Sequence, residues 1–318
     1  MPDFQISSPR LSSTVCQNII FPTLALLFIC IQGLNAQAPF VTVLGIAQDA
    51  GYPQAGCNKA CCQSVWAGGR PGARVACLGL ADPVSGQVWM LDATPDFREQ
   101  LHELEQHGEL AGIFLTHAHI GHYTGLMHLG REAMGAREVP VYAMPRMKAF
   151  LENDGPWSQL VSLQNISIRP LVADSIIVLN ERLRITPLVV PHRDEFSETV
   201  GYFIEGPERS LLFIPDIDKW HLWERDIRQL IRQVDYALLD GAFFANGEIP
   251  GRDMSEIPHP FIEESLALFG ELPEAERAKV YFIHFNHTNP VLDGEGTARK
   301  RVGEAGCRVA EEGLRLGL

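Results

Sequence analysis

The stretch FLTHAHIGHYTGL, residues 114–126, places His117, His119 and His122 directly after an apolar strand and before a helix. Neutral imidazole is a common ligand for zinc and iron, and a turn at the end of a strand can direct several rings at one point. The alternative is three buried histidines that each find a separate hydrogen-bond partner. The strand–HxHxxH–helix context favours a metal site over that alternative.

Further candidate ligands follow later in the chain, each at the end of an apolar strand. His192 ends the run LVVPH, Asp216 ends LLFIPD and His284 ends VYFIH. Taken alone, such a histidine is more often a core residue with a satisfied hydrogen bond, and Asp216 could be a turn residue before a helix cap at Asp218. His259 precedes a proline at a predicted helix start, where a place near the pocket and a capping role are equal alternatives.

Short apolar strands alternate with helical stretches along the chain, and no Pro/Gly/Ser-rich linker divides them. Strands are predicted at 41–46, 75–80, 88–91, 113–116, 139–143, 176–179, 183–190, 200–205, 210–215, 236–239 and 280–283. Helices are predicted at 94–108, 123–134, 218–233 and 260–270, with a loop at 243–258. The pattern predicts one α/β domain over residues 41–318, with sheets packed inside helices.

The order of these motifs resembles the metallo-β-lactamase superfamily, whose usual motif is HxHxDH. Within it, four stretches resemble the branch of the pyrroloquinoline quinone (PQQ) biosynthesis B protein: ATPDFREQ (93–100), DGAFF (240–244), GRDM (251–254) and IHFNHTNP (283–290). The chain is similar, more loosely, to the phosphonate-pathway cyclic phosphodiesterase. The resemblance covers essentially everything after the first 40 residues. It implies an αββα sandwich, in which two mixed sheets are packed between helices.

The resemblance also implies two adjacent metals. His117, His119 and His192 would hold the first metal, His122 and His284 the second, and Asp216 would bridge them. Asp92 would orient a ligand histidine from outside. Asp216 and His122 would orient water if the second metal is absent.

One position departs from the family, because Gly121 stands where the family has aspartate. The second metal therefore lacks a carboxylate, and its site is predicted to be weaker, differently hydrated or selective for another metal. Asp240, at the end of another strand, could supply a replacement oxygen. A plain turn residue before Gly241 is the equal alternative.

Three cysteines lie within six residues, at Cys57, Cys61 and Cys62, and only Cys77 and Cys307 follow them. An odd total after the N-terminal segment does not predict a disulfide framework. The relatives carry a Cys-rich clip here, and the phosphodiesterase completes it with a histidine three residues after the last active-site histidine. This resemblance implies a closed structural zinc site of Cys57, Cys61, Cys62 and His287. The CxxxCC spacing differs from the relatives' CxCxxC, and free thiols or partial disulfides are the alternative.

The N-terminal segment predicts export. An apolar run at 19–31 follows Arg10, contains Pro22 and is too short for a comfortable bilayer span, and the small residues Ala36 and Ala38 come after it. Residues 1–38 are therefore predicted to be a signal peptide or apolar leader. The mature protein is predicted to be periplasmic or secreted, without a stable membrane span. An uncleaved membrane anchor is the alternative.

Charge and motifs together predict the function. The formal net charge of −13 repels nucleic acid, so a small-molecule substrate is favoured. Metal-activated water suits hydrolysis of a small ester or phosphodiester, with one or two zinc ions at the active site and one structural zinc. One alternative is an iron-dependent oxygenase or hydroxylase of PQQ-type cofactor biosynthesis, because imidazole and carboxylate also suit Fe(II). The other is a non-catalytic metal-dependent carrier. A homodimer is compatible with the sequence.

Overall fold

The computed structural model describes residues 37–318 and arranges them as strands in two facing sheets with helices outside. The strands are β1 Phe40–Gly45, β2 Cys77–Asp82, β3 Gln87–Leu91, β4 Glu109–Phe114, β5 Val139–Ala143, β6 Ile166–Pro170, β7 Ile177–Val178, β8 Arg184–Val189, β9 Val200–Glu205, β10 Ser210–Ile214, β11 Tyr236–Asp240, β12 Val280–Ile283, β13 Arg308–Val309 and β14 Arg315–Gly317. The α-helices are α1 Ala60–Trp66, α2 Phe97–Leu104, α3 Ile120–Tyr123, α4 Pro145–Asn153, α5 Trp157–Ser162, α6 Ile227–Gln233, α7 Ile262–Phe269, α8 Glu274–Arg277 and α9 Thr297–Glu304. Short 3-10 helices lie at Glu105–His107, Thr124–Leu129, Trp220–Leu222, Met254–Glu256 and Pro290–Leu292.

Both sheets are mixed, and each has seven strands within residues 37–318. The first has the order β14-β1-β2-β3-β4-β5-β6, antiparallel from β14 to β3 and parallel from β3 to β6. The second has the order β13-β12-β11-β10-β9-β8-β7, parallel from β10 to β13 and antiparallel from β7 to β10. Strands β1, β3 and β4 therefore run in one direction and end at the same edge of the first sheet. Strands β8, β10, β11 and β12 do the same in the second.

The alternation of side chains along each strand builds the layers. Along β1, Val41 and Val43 pack between the two sheets, whereas Phe40 and Leu44 pack on the outer face among residues of α2, α4 and α5. The outer face of the second sheet packs in the same way against α6, α7 and α9. Each fully buried aliphatic side chain stabilises the fold by roughly 1.5–3 kcal/mol. The predicted αββα sandwich with two mixed sheets is confirmed.

The helix predicted at 123–134 is wrong. The chain instead forms the single turn α3 and a 3-10 helix that ends at Leu129. Gly125 explains the change, because its backbone nitrogen donates to Ala93 O over 2.9 Å and a Cβ at this position would overlap Thr94 O. The segment is pressed against the loop after β3, and a wider α-helix would not fit there.

The helix predicted from Asp218 also begins later, at α6. Its N-cap is Asp226, whose carboxylate accepts a hydrogen bond from the backbone nitrogen of Arg228 over 2.9 Å. Asp218 is unavailable as a cap because its carboxylate contacts the ring of His192. Asp218, predicted to cap a helix, therefore holds a histidine ring of the candidate site.

The predicted leader falls outside the described residues, apart from Gln37 and Ala38. Among the helices of residues 37–318, none is both long enough and apolar enough to cross a membrane.

Candidate metal centre

The candidate ligands lie just beyond the carboxyl ends of strands that share a direction. These are His117, His119 and His122 after β4, His192 after β8, Asp216 after β10, and His284 after β12. Backbone conformation marks two positions at this edge, since Asp92 and His284 have φ values of 71° and 68°. Non-glycine residues rarely adopt the left-handed region, and such strain concentrates at functional sites.

His117, His119, His192 and Asp216, called here the first metal group, converge on one point. His117 Nε2 lies 2.8 Å from His119 Nδ1 and 3.3 Å from Asp216 Oδ2. His192 Nε2 lies 3.2 Å from Asp216 Oδ1. Ligands at the usual zinc–nitrogen distance in a tetrahedron are about 3.3 Å apart. The spacing of the four groups therefore fits a single zinc ion.

A second metal group lies on the other side of Asp216 and consists of Asp49, His122 and His284. The Nε2 atoms of His122 and His284 are each 4.0 Å from Asp216 Oδ2. Asp49 Oδ1 lies 3.4 Å from His122 Nε2. Asp216 Oδ2 thus faces both groups, while Oδ1 faces His192 of the first group.

Several buried polar atoms of this region have no hydrogen-bond partner. They are His122 Nε2, His192 Nε2, Asp216 Oδ1, Asp49 Oδ1 and both ring nitrogens of His284. Buried groups without a partner are rare in native proteins because each carries an unrecovered desolvation penalty. Cations shared by these atoms would satisfy them, so the donor set fits metal ions at both groups.

Carboxylates outside the two groups hold the other nitrogen of three rings. Asp92 Oδ2 lies 2.8 Å from His122 Nδ1, Asp218 Oδ1 lies 3.0 Å from His192 Nδ1, and Glu195 Oε2 lies 3.1 Å from His119 Nε2. Asp92 is itself fixed, since its Oδ1 accepts from the backbone nitrogen of Thr116 over 2.7 Å. Each carboxylate holds the ring proton on one nitrogen and leaves the other free for a metal.

Replacement of Asp92 by asparagine is expected to weaken metal binding at the second metal group by about 10–100-fold. The amide loses the charge that holds the proton on His122 Nδ1, while its oxygen can still accept from Thr116. Zinc titration of the metal-free protein by calorimetry measures the change. Asp218→Asn is the control, because it should weaken the first metal group instead. If both variants weakened the same one of the zinc-binding steps, the assignment of Asp92 to the second metal group and Asp218 to the first would be contradicted.

His259 belongs to the same region, and the sequence did not decide between pocket and cap. Its Nδ1 lies 2.8 Å from Asp240 Oδ2 and 3.2 Å from Asp216 Oδ1, and the residue is buried. Asp240 also accepts from the backbone nitrogens of Ala242 and Ile217, over 2.8 and 3.1 Å. Asp240, the predicted replacement ligand beside Gly121, does not lie in the second metal group. It forms a separate set with Asp216 and His259, in which one ligand atom of each residue lies within 4.8 Å of the others.

Electrostatics set the protonation states that a metal site needs. Burial raises the pKa of Asp216, but the charges of His192 and His259 outweigh it and hold that pKa well below its usual range. Burial also holds the pKa of His117 well below its usual value. Burial lowers the pKa of His192 too, yet Asp216 and Asp218 raise it to about 10. The carboxylate is therefore ionised, and a metal must displace the proton of His192.

Cys57, Cys61, Cys62 and His287, called here the cysteine cluster, meet away from Asp216. Cys57 Sγ lies 3.7 Å from Cys61 Sγ, and His287 Nδ1 lies 3.6 Å from Cys61 Sγ and 3.3 Å from Cys62 Sγ. In a tetrahedral zinc site, sulfurs are about 3.8 Å apart, and sulfur and nitrogen about 3.6 Å apart. Burial and the neighbouring thiols raise the pKa of Cys62 to about 12, so these thiols need a cation to ionise together.

Comparison with known proteins places these features in a family. A model of the beta-lactamase superfamily domain matches residues 89–285. Coenzyme PQQ synthesis protein B of Methylobacterium sp. strain 4-46 is 26% identical over 308 residues, which cover 87% of this chain and 99% of that protein. The protein of Methylobacterium nodulans is 28% identical over 313 residues, with the same two coverages.

Solved structures share the fold. Zinc-bound PqqB from Methylobacterium extorquens matches with a TM-score of 0.74 and 23% identity, over 88% of this chain and all of that one. A diphosphatase of the PhnP family matches with a TM-score of 0.61 and 22% identity, over 89% of this chain and 98% of that one. At these identities the likeness concerns the fold alone.

Proposed function

The chain belongs to the metallo-β-lactamase superfamily and is PqqB-like, and from this premise we propose that it is a metal-dependent hydrolase of a small ester or phosphodiester. The single observation that carries the proposal is the placement of Asp216. Its carboxylate lies within 4.0 Å of ring nitrogens from both metal groups. A carboxylate in this position can bridge two cations, which is an arrangement suited to hydrolysis.

The residues of the site have different roles in such a reaction. Zinc bound here would ionise a water near neutral pH and polarise the oxygen of the scissile bond. His117, His119 and His192 would hold this ion, and Asp216 would orient the water by accepting its hydrogen bond. His259 donates from Nδ1 to Asp240 Oδ2, and the same nitrogen lies 3.2 Å from Asp216 Oδ1, where its charge favours the ionised carboxylate. His122 joins Asp216 in orienting water where the second group is empty of metal.

The approach to the site is over His119. Its side chain is 13% exposed, whereas those of His117, His122, His192 and His284 are at most 1% exposed. The next residue in the chain, Ile120, and Phe196 beside Glu195 are both 60% exposed. This apolar rim and the net charge of −13 favour a small, partly apolar substrate over a polyanion.

Removal of metal is expected to abolish hydrolysis. Purified protein should contain zinc and should cleave bis(p-nitrophenyl) phosphate or p-nitrophenyl acetate. Dialysis against a chelator should lower the rate at least about 100-fold, since the metal supplies several kcal/mol of stabilisation to the transition state, and zinc should restore it. A zinc-loaded protein that cleaves neither class of substrate would contradict the proposal.

An iron-dependent oxygenase or hydroxylase is the second candidate, favoured by the similarity to coenzyme PQQ synthesis protein B along 87% of the chain. Imidazole and carboxylate ligands suit Fe(II) as well as zinc. Metal analysis separates the two, because this candidate requires iron in the purified protein and oxygen uptake without ester cleavage.

A further inference from the structure

Gly121 occupies the position at which the family carries a metal-binding aspartate, and the structure shows what fills the space. A Cβ added to Gly121 would overlap the Oδ1, Cα and Cβ atoms of Asp49. The side chain that is missing from residue 121 is thus replaced, in the same volume, by a carboxylate from a different segment. Residues 49 and 121 cannot both carry an aspartate in this backbone arrangement.

The Asp49 carboxylate is aimed at the second metal group. Its Oδ1 is buried without a hydrogen-bond partner, although His122 Nε2 lies only 3.4 Å away. One ligand atom each of Asp49, His122 and His284 lies within 4.8 Å of the other two. Within the described residues, His122 Nε2 and both ring nitrogens of His284 have no hydrogen-bond partner. Three unpartnered atoms that face one point are the pattern of a metal site.

The loop that carries Asp49 is fixed next to His284. It follows β1, which ends at the same edge of its sheet as β3 and β4. Gln48 N donates to Phe285 O over 2.8 Å, and Asn286 Nδ2 donates to the Gln48 side chain over 2.7 Å. Asp49 is thereby held by the segment directly after His284.

We propose that Asp49 is a metal ligand of the second metal group, where it supplies the carboxylate that Gly121 lacks. The second metal would then be held by Asp49, His122 and His284, with Asp216 shared with the first. This inference rests on the proposed function in so far as the site binds metal. It assigns the second group the same number of carboxylates as the family's usual site, so binding there is not weakened by Gly121. An ion pair between Asp49 and a protonated His122 is the alternative that the experiment excludes.

The first test is Asp49→Ala, with Asp194→Asn as the control. Asp194 is an exposed acid of the neighbouring 192–199 loop that accepts from Thr199, a bond that the amide oxygen retains. Cobalt titration of metal-free protein, followed by absorption and by metal analysis, counts the bound ions. We expect Asp49→Ala to bind one ion fewer than wild type, or to bind it at least about 100-fold more weakly, because a direct ligand outweighs outer partners worth 10–100-fold. Asp194→Asn should bind the same number of ions as wild type, with the same affinity. The cysteine cluster should keep its ion in every variant, and this retained ion shows that the variant is folded.

The second test is Gly121→Ala, with Gly303→Ala on α9 as the control, since a Cβ at Gly303 meets nothing within 4 Å. A methyl group at residue 121 adds and removes no ligand, yet it must displace Asp49. We expect it to lose the same ion as Asp49→Ala. Full binding by Asp49→Ala with unchanged affinity would overturn the inference alone. A wild-type protein whose imidazoles bind no metal would overturn the proposed function as well.

Discussion

Replacement of Asp216 by alanine is expected to empty both metal groups and to lower the rate of hydrolysis by at least about 10³-fold, since each 1.4 kcal/mol lost from the transition state is a factor of ten. Asp216 lies 3.2–4.0 Å from ring nitrogens of His117, His192, His122 and His284. Without this carboxylate, each cation would lose its shared negatively charged ligand, and nothing would offset the repulsion between the two cations. No other carboxylate among the described residues faces both groups.

Asp216→Asn keeps the shape of the side chain and therefore separates charge from packing. Its amide carries no negative charge and presents donor hydrogens to neighbouring ring nitrogens, so metal loss should be nearly as severe as in Asp216→Ala. Metal analysis and the rate of phosphodiester cleavage are the measurements, and zinc retained in the cysteine cluster shows that the variants fold. Retention of both active-site metals by either variant would contradict the bridging role.

Replacement of Cys62 by serine is expected to release one zinc and to lower the melting temperature by on the order of 10 °C. A closed zinc site contributes several kcal/mol to folding, and 1 kcal/mol corresponds to roughly 2–4 °C in a domain of this size. The cysteine cluster joins α1, near the start of the domain, to His287, which follows β12. Because an unfolded chain offers no such site, loss of the zinc removes its binding free energy from the folded state alone.

Cys307→Ser is the matched control for Cys62→Ser. Cys307 is equally buried and free, but it packs among the residues under α9 and takes no part in the cluster. It should keep the full zinc content and lose only the packing of one sulfur atom. Thermal unfolding followed with metal analysis makes the comparison. Equal zinc content in both variants would contradict the structural zinc site.

The residues that follow apolar strands could be predicted from the sequence because strand periodicity and strand ends leave a local pattern. His117, His192, Asp216 and His284 are of this kind, and the structure brings their side chains together. The direction of β1 was the missing information for Asp49, since a strand's pairing depends on residues far along the chain. Without that direction, the sequence predicts only Asp240, at the end of another strand, as a source of the oxygen missing at Gly121.

His259 follows a loop rather than a strand, so no periodicity places it. Its burial beside Asp216 depends on how the 243–258 segment folds over α7, where Phe243, Met254 and Phe261 form a small apolar cluster. The short helix after His122 was mispredicted for a similar reason, because the contact between Gly125 and Ala93 is tertiary. Local signals predicted the ligands at strand ends, while contacts between segments decided the loops around them.

Anomalous diffraction at the zinc edge, from crystals of the purified protein, tests the shared cation most directly. We expect one peak about 2.0–2.2 Å from His117 Nε2, His119 Nδ1 and His192 Nε2, and a second at the same distance from His122 and His284, with Asp216 between them. The cysteine cluster provides the internal reference, with a peak about 2.3 Å from its sulfurs. A map with the cysteine peak alone, and with the five rings and the Asp216 carboxylate joined by hydrogen bonds, would contradict metal binding at both groups.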